Sequence, residues 1–135
     1  MSIVRTEITL KNASDIMACK RGIIGESEVR QLTMDVMVDT GAWNLVISEE
    51  VRVKLGLEIS GAGEGRLADG SEVEYDMAGP VEIWWKNRRA LCDALVLPDA
   101  DDVLLGTIPL EIMDLTINPL RELVGAHGDV AWHRI

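Results

Sequence analysis

Leu32, Met34, Val36 and Val38 alternate with Thr33 and Asp35, and the chain then runs without a break into Asp39-Thr40-Gly41-Ala42. Successive side chains of a strand point to opposite faces, so this alternation specifies a half-buried strand that delivers an acid into a turn. The same period of two recurs along the chain. Ile3 to Leu10 reads as a first strand with Ile8 and Leu10 on one face. Asn44 to Ile47 reads as a short strand. Val81 to Lys86 and Ala90 to Leu97 read as two more, joined by a polar turn at Asn87-Arg88-Arg89. Val103-Leu104-Leu105-Gly106 is wholly apolar and suits a strand covered on both faces. Leu115 to Ile117 and Arg121 to Val124 are expected to be closing strands. A mostly β architecture with one or two short helices is the expectation.

Helical signals are few and local. Ser48 is placed to cap a helix, Glu49 and Glu50 suit its positive first turn, and Gly56 sits where it should stop. Pro109 permits a second helix start ahead of Leu110, Ile112 and Met113. Asn12 to Glu28 mixes apolar residues with charges and two glycines, and reads as a loop or short helical connection. Between Arg66 and Val73 the pair Asp69-Gly70 signals a hairpin. No repeat, low-complexity tract or linker divides the 135 residues, so residues 1–135 are expected to form one domain. Residues 1–30 give it a strand and a connection, and the pattern leaves the order of the tail, 125–135, open. Phe is absent, so aliphatic residues must carry the core.

Charge narrows the function classes. Thirteen Lys and Arg against 23 Asp and Glu leave a net charge of −10, which speaks against nucleic acid as a partner. No apolar run reaches the roughly 18 residues of a membrane span, and no signal segment opens the chain, so no membrane partner is expected. Two cysteines, Cys19 and Cys92, are too few for a disulfide framework and fit a reducing, cytoplasmic setting.

The sharpest chemical feature is Asp39-Thr40-Gly41-Ala42. An acid emerging from an apolar strand is partly desolvated, a Gly allows a tight turn and close approach, and the Thr hydroxyl is suited to hold that turn. Other candidates are blander. Gly61, Gly63 and Gly65 lack the following helix that a phosphate loop needs. His127 and His133 have no companions at zinc-ligand spacing, so neither a metal nor a cofactor is implied. Cys19 and Cys92 read as packed thiols. Asp35 shares the solvent side of its strand with Thr33, and Asp99, Asp101 and Asp102 read as a solvated loop. Trp84-Trp85 points one ring to each face, one toward the core and the other under a hairpin or at an interface.

Taken in order, Asp39-Thr40-Gly41-Ala42, a following strand and helix, the hairpin at Leu67-Ala68-Asp69-Gly70 and then Leu104-Leu105-Gly106 ahead of a helix resemble the retropepsin-like aspartic proteases. The resemblance covers roughly Thr33 to Asn118. It implies a single-lobe closed β-barrel working as a homodimer, with Asp39, Thr40 and Gly41 as the catalytic turn. The hairpin Leu67, Ala68, Asp69 and Gly70 would be a flap over the substrate, and Leu104, Leu105 and Gly106 would support the turn from beneath. Ala42 and Trp43 would border the substrate, with a packing role for the indole as the alternative. Retroviral members usually carry an acid and an Arg where this chain has Trp43 and Thr107, so the chain looks more like non-viral members.

The implied chemistry needs two carboxylates sharing a proton, and this chain has one Asp-Thr-Gly. The second must then come from a second copy across a two-fold axis. The leading expectation is a dimeric aspartic endopeptidase acting on a peptide or protein substrate. The competing readings are a catalytically silent dimer of the same fold that binds peptides without cleaving them, and a small β scaffold.

Overall fold

The computed structural model describes residues 3–135. Strand β1 (Val4–Asn12) leads into helix α1 (Ala13–Lys20), and β2 (Gln31–Val38) follows. Then come β3 (Leu45–Ile47), α2 (Glu49–Leu55), β4 (Glu58–Arg66), β5 (Glu72–Trp85) and β6 (Arg88–Val96). The chain finishes with β7 (Leu104–Leu105), α3 (Thr107–Ile112), β8 (Leu115–Ile117) and β9 (Leu123–Gly125). Seven strands form one sheet in the order β1-β2-β7-β3-β6-β5-β4, and β1 also pairs with β5 through Thr9–Asn12 against Val81–Trp84. Strands β8 and β9 form a separate two-stranded sheet.

The alternation that marked the strands also sets the core. Ile8, Leu10, Val36, Leu45, Ile47, Ile83 and Leu105 are at most 1 % exposed, and all are aliphatic, as a chain without Phe requires. Each such side chain contributes about 1.5–3 kcal/mol on burial. Helix α2 starts and stops as its sequence prescribes. Ser48 Oγ accepts from the Val51 N–H at 3.2 Å, and Gly56 ends the helix with φ +64°. A Cβ at Gly56 would also meet the Arg30 guanidinium, which would have to shift.

Several local expectations change. The first strand runs to Asn12, and the connection after it is helical over Ala13–Lys20. Asn12 makes that helix possible, accepting from the Asp15 N–H at 3.0 Å while donating to the Leu55 carbonyl at 2.9 Å. Asp15 in turn accepts from the backbone and guanidinium of Arg30, which holds its carboxyl below the usual range against the effect of burial.

The polar turn expected at Asn87-Arg88-Arg89 is shorter. Trp85 pairs with Arg88 across Lys86-Asn87, with Lys86 at φ +51°. Arg88 is therefore a strand residue, and it points inward because carbonyls await it: Met113 at 3.1 Å, Asp114 at 2.6 Å, and Gly128. The arm of the hairpin and the strand from Val81 are also one element, β5, whose register shifts between Ala78 and Val81. Trp85 is the core ring, donating to Thr6 Oγ1 at 2.8 Å. Trp84 lies on the other face beside Lys11 and donates to Glu82, so it does not sit under the hairpin tip.

The tail is docked. The Ala126 N–H donates to the Asp114 carbonyl at 2.9 Å, and the Trp132 N–H donates to Asp114 Oδ2 at 3.0 Å. His127 Nδ1 lies 2.7 Å from Asp114 Oδ1, and its ring packs 4.8 Å from that of Trp132. Burial pushes the Asp114 carboxyl up, but the Trp132 N–H and His127 outweigh it and hold it below the usual range. Sequence reasoning missed Arg88 and Asp114, since charged residues in a turn and after a helix carry no mark of burial. Among the described residues, no helix is long and apolar enough to cross a membrane.

Candidate active site

The loop after β2 is gripped from two sides by one segment. Met37 and Val38 pair in parallel with Leu104 and Leu105, and the Asp39 N–H donates to the Leu105 carbonyl at 3.0 Å. The chain then turns, with the Ala42 N–H donating to the Asp39 carbonyl at 3.2 Å. On the far side, Gly106 N–H donates to Asn44 O at 3.1 Å, Thr107 N–H to Ala42 O at 3.0 Å, and Ile108 N–H to Trp43 O at 2.8 Å.

Helix physics explains this grip. The first N–H groups of an α-helix have no partner within it. Helix α3 begins at Thr107, so the carbonyls of the Asp39 loop serve as its cap. The start lies two residues before the expected Pro109, which falls in the first turn where its missing N–H costs nothing. Gly106 is required for the approach itself. A Cβ there would stand 2.4 Å from Asn44 O and 2.7 Å from Ala42 O.

Within the turn the Asp39 side chain is half-buried, and its Oδ1 accepts from the Gly41 N–H at 2.8 Å. That bond fixes the carboxylate relative to the loop. The Thr40 hydroxyl was expected to hold the turn. It makes no hydrogen bond among the described residues and stands exposed, so Asp39 and Gly41 do that work. Ala42 is half-buried, while the Trp43 indole is 75 % exposed, which removes packing within the chain as its role.

Leu67, Ala68, Asp69 and Gly70 form the tip of the β4–β5 hairpin. The Gly70 N–H donates to the Leu67 carbonyl, the Leu67 N–H donates to the Ser71 carbonyl, both at 2.9 Å, and Gly70 has φ +89°. This is the three-residue loop that a glycine in the left-handed region closes. Asp69 Oδ1 accepts from the Ser71 hydroxyl and N–H, which lowers its carboxyl below the usual range. No hydrogen bond among the described residues joins this tip to the Asp39 loop, so the structure brings Asp39–Trp43 together with Leu104–Gly106 and leaves the tip separate. Gly61, Gly63 and Gly65 lie opposite Met77, Tyr75 and Val73. Gly63 alone is crowded, since a Cβ there would fall 2.5 Å from Tyr75 Oη, while one on Gly61 would meet nothing within 4 Å.

Two of the other acids, Asp35 and Asp102, are committed elsewhere. Arg5 binds both Asp35 and Asp102, and its guanidinium holds the Asp102 carboxyl below the usual range. Asp102 is thus a clamped residue, where a solvated one was expected. Burial, with the nearby Asp93 charge, pushes the Cys92 thiol up to about 11, which makes it a poor nucleophile.

Comparison with known proteins places this geometry. A family model described as Aspartyl protease matches residues 25–107, more than half of the chain and the part that holds the Asp39 loop, the hairpin and Gly106. Among solved structures, the retroviral EIAV protease complexed with the inhibitor HBY-793 is similar in fold. Its TM-score is 0.58 at 20 % sequence identity, over 82 % of this chain and 86 % of that one. No curated protein matches. The chain belongs to the aspartyl protease family.

Proposed function

We propose that this protein is a homodimeric aspartic endopeptidase in which two Asp39 carboxylates, one from each copy, activate a water between them. The observation that carries the reading is the Asp39 loop itself. A carboxylate is held by its own turn and braced by backbone bonds on both sides, and its side chain's one hydrogen bond among the described residues is to the Gly41 N–H. Structural rigidity without a partner suits a residue whose counterpart arrives from a second copy. The pairing of β1 with β5 supports reading the large sheet as a closed β-barrel.

In this reading like charges about 3 Å apart cannot both ionise, so the pair holds one proton and titrates as a unit. The ionised carboxylate takes a proton from the water as its oxygen attacks the scissile carbonyl carbon. The protonated one donates to the carbonyl oxygen. Collapse of the tetrahedral diol then breaks the C–N bond, and the leaving amine takes up a proton from the pair. Leu104, Leu105 and Gly106 support the loop, Ala42 and Trp43 border the cleft, and Leu67, Ala68, Asp69 and Gly70 cover a peptide held as an added strand. The exposed Thr40 hydroxyl is free to bond the second copy. The two cysteines, neither of them in a disulfide, fit a reducing, cytoplasmic setting.

The test is Asp39→Asn assayed on a peptide library from mildly acidic to neutral pH. Cleavage by the wild type is expected to be lost in the variant, which should keep its fold and its self-association. Absence of turnover in the wild type across that range would overturn the enzyme and leave a peptide-binding dimer.

A further inference from the structure

We infer that the peptides this protein takes carry Lys or Arg side chains, and that Glu64, Glu74 and Asp76 on the inner face of the β4–β5 hairpin select them. This deepens the peptide cleft proposed above and rests on it. It adds the chemical class of the substrate.

The hairpin is built inside out. Where β5 leaves the core, Ala78 lies opposite Ala94, and both are fully buried. Alternate residues of a strand share a face, so the face of Ala78 continues outward through Asp76, Glu74 and Glu72. Directly paired residues share it as well: Val96 and Ala62 opposite Asp76, Glu64 opposite Glu74, and Arg66 opposite Glu72. The apolar Val73, Tyr75 and Met77 lie on the other face, opposite Gly65, Gly63 and Gly61. A hairpin that closed on its own core would turn apolar side chains inward and charges outward. Here Glu64, Glu74 and Asp76 line a cavity of about 560 Å³ together with Val96 and Pro98.

Charge then selects the occupant. Glu64 and Glu74 stand directly opposite each other, where like charges destabilise a sheet. Arg66 answers Glu72 at 3.5 Å, but among the described residues no ion pair or hydrogen bond engages the carboxyls of Glu64, Glu74 or Asp76. Arg52, whose charge reaches Asp76, is bound to Glu49 and to the Leu57 carbonyl. No group of three His, Cys, Asp or Glu among the described residues is arranged to hold a metal ion. The counter-charge fits a side chain instead. Glu74 and Asp76 are two residues apart on one strand, about 7 Å, which is also the spacing of alternate side chains in an extended peptide. An ammonium or guanidinium on such a peptide offsets the repulsion that the free hairpin bears. The net charge of −10 draws basic peptides toward the protein from solution.

The experiment compares peptides that differ only in charge. Lys-bearing peptides and their Gln-substituted counterparts are assayed with the wild type and with the double variant Glu64→Gln/Glu74→Gln. The ratio of kcat/KM for the basic over the neutral form is expected to fall at least about fivefold in the double variant, chiefly through KM. Moderate salt should lower the wild-type ratio, because the attraction is screened. The double variant should melt no lower than the wild type, since a like-charge pair has gone. Fluorescence anisotropy of the same two labelled peptides on Asp39→Asn supplies an arm that needs no turnover. Turnover that ignores peptide charge, or a ratio the double variant leaves unchanged, overturns this inference and leaves the protease standing. A double variant that melts lower gives the acids a structural role and also overturns it. Charge-selective binding without turnover overturns the protease and keeps the basic partner, and the absence of both overturns both.

Discussion

The Asp39 loop and the β4–β5 hairpin are built on opposite principles. The loop is short, half-buried, and tied to Leu105, Gly106, Thr107 and Ile108 through backbone bonds alone. The hairpin is long, acidic and mostly exposed, with glycines at alternate positions of one strand and its tip bonded only to itself. Backbone-to-backbone bracing fixes position independently of side-chain rotamers, which suits a reacting group. A ribbon with few buried contacts opens at low cost, which would suit the cover over a peptide proposed above. The two regions teach that this fold separates precision from access.

The largest expected effect that would test this contrast is Gly106→Ala. Its Cβ meets backbone oxygens, which cannot swing aside as a side chain does. We expect a loss of about 3 kcal/mol or more in urea unfolding, with activity lost in parallel. A change under about 1 kcal/mol would show the loop to be pliable and break the comparison.

Gly63→Ala is the matching change in the hairpin. The added Cβ meets the Tyr75 ring, whose end can move, so a loss of about 1 kcal/mol is expected. Peptide KM should respond more than stability does. An effect as large as that of Gly106→Ala would mean that the hairpin is as tightly constrained as the loop.

The smallest effect concerns acid. Arg5 lowers the Asp102 carboxyl where the chain enters Val103, whose carbonyl receives the Met37 N–H. A carboxyl lowered in the folded state adds stability above its unfolded value, about 3.9, and that stability is lost as pH falls through the folded value. Asp102→Asn should therefore blunt the loss of stability below about pH 4. The difference should stay under about 1 kcal/mol, because the pair is partly exposed. A pH profile identical to the wild type would sever this clamp from the base of the loop.

What the sequence revealed follows the same division. Alternation gave β2 and β6 because those strands have one buried face, and Ser48 with Gly56 marked α2 because caps are written in single residues. The turn at Asp39 and the tip at Gly70 were legible for the same reason. The bracing was not, since it runs through N–H and C=O groups that every residue possesses, and only Gly106 betrays it. Arg88 and Asp114 stayed hidden because three carbonyls and a folded-back tail supply what solvation would otherwise supply, and these come from distant parts of the chain. Thr40 was assigned a turn-holding bond that it does not make, and packing, the alternative for Trp43, does not suit an indole that is 75 % exposed; a residue facing outward looks the same in one sequence as a residue facing inward.

The docked tail has a consequence for anyone shortening this protein. Arg88 is 2 % exposed, and one of the three carbonyls it addresses belongs to Gly128. Cutting the chain just after β9 would strip a guanidinium of part of its solvation shell and deprive Asp114 of both tail donors. Gly128, His127 and Trp132 thus keep a buried cation and anion satisfied, and a trimmed version would have to supply those contacts from elsewhere.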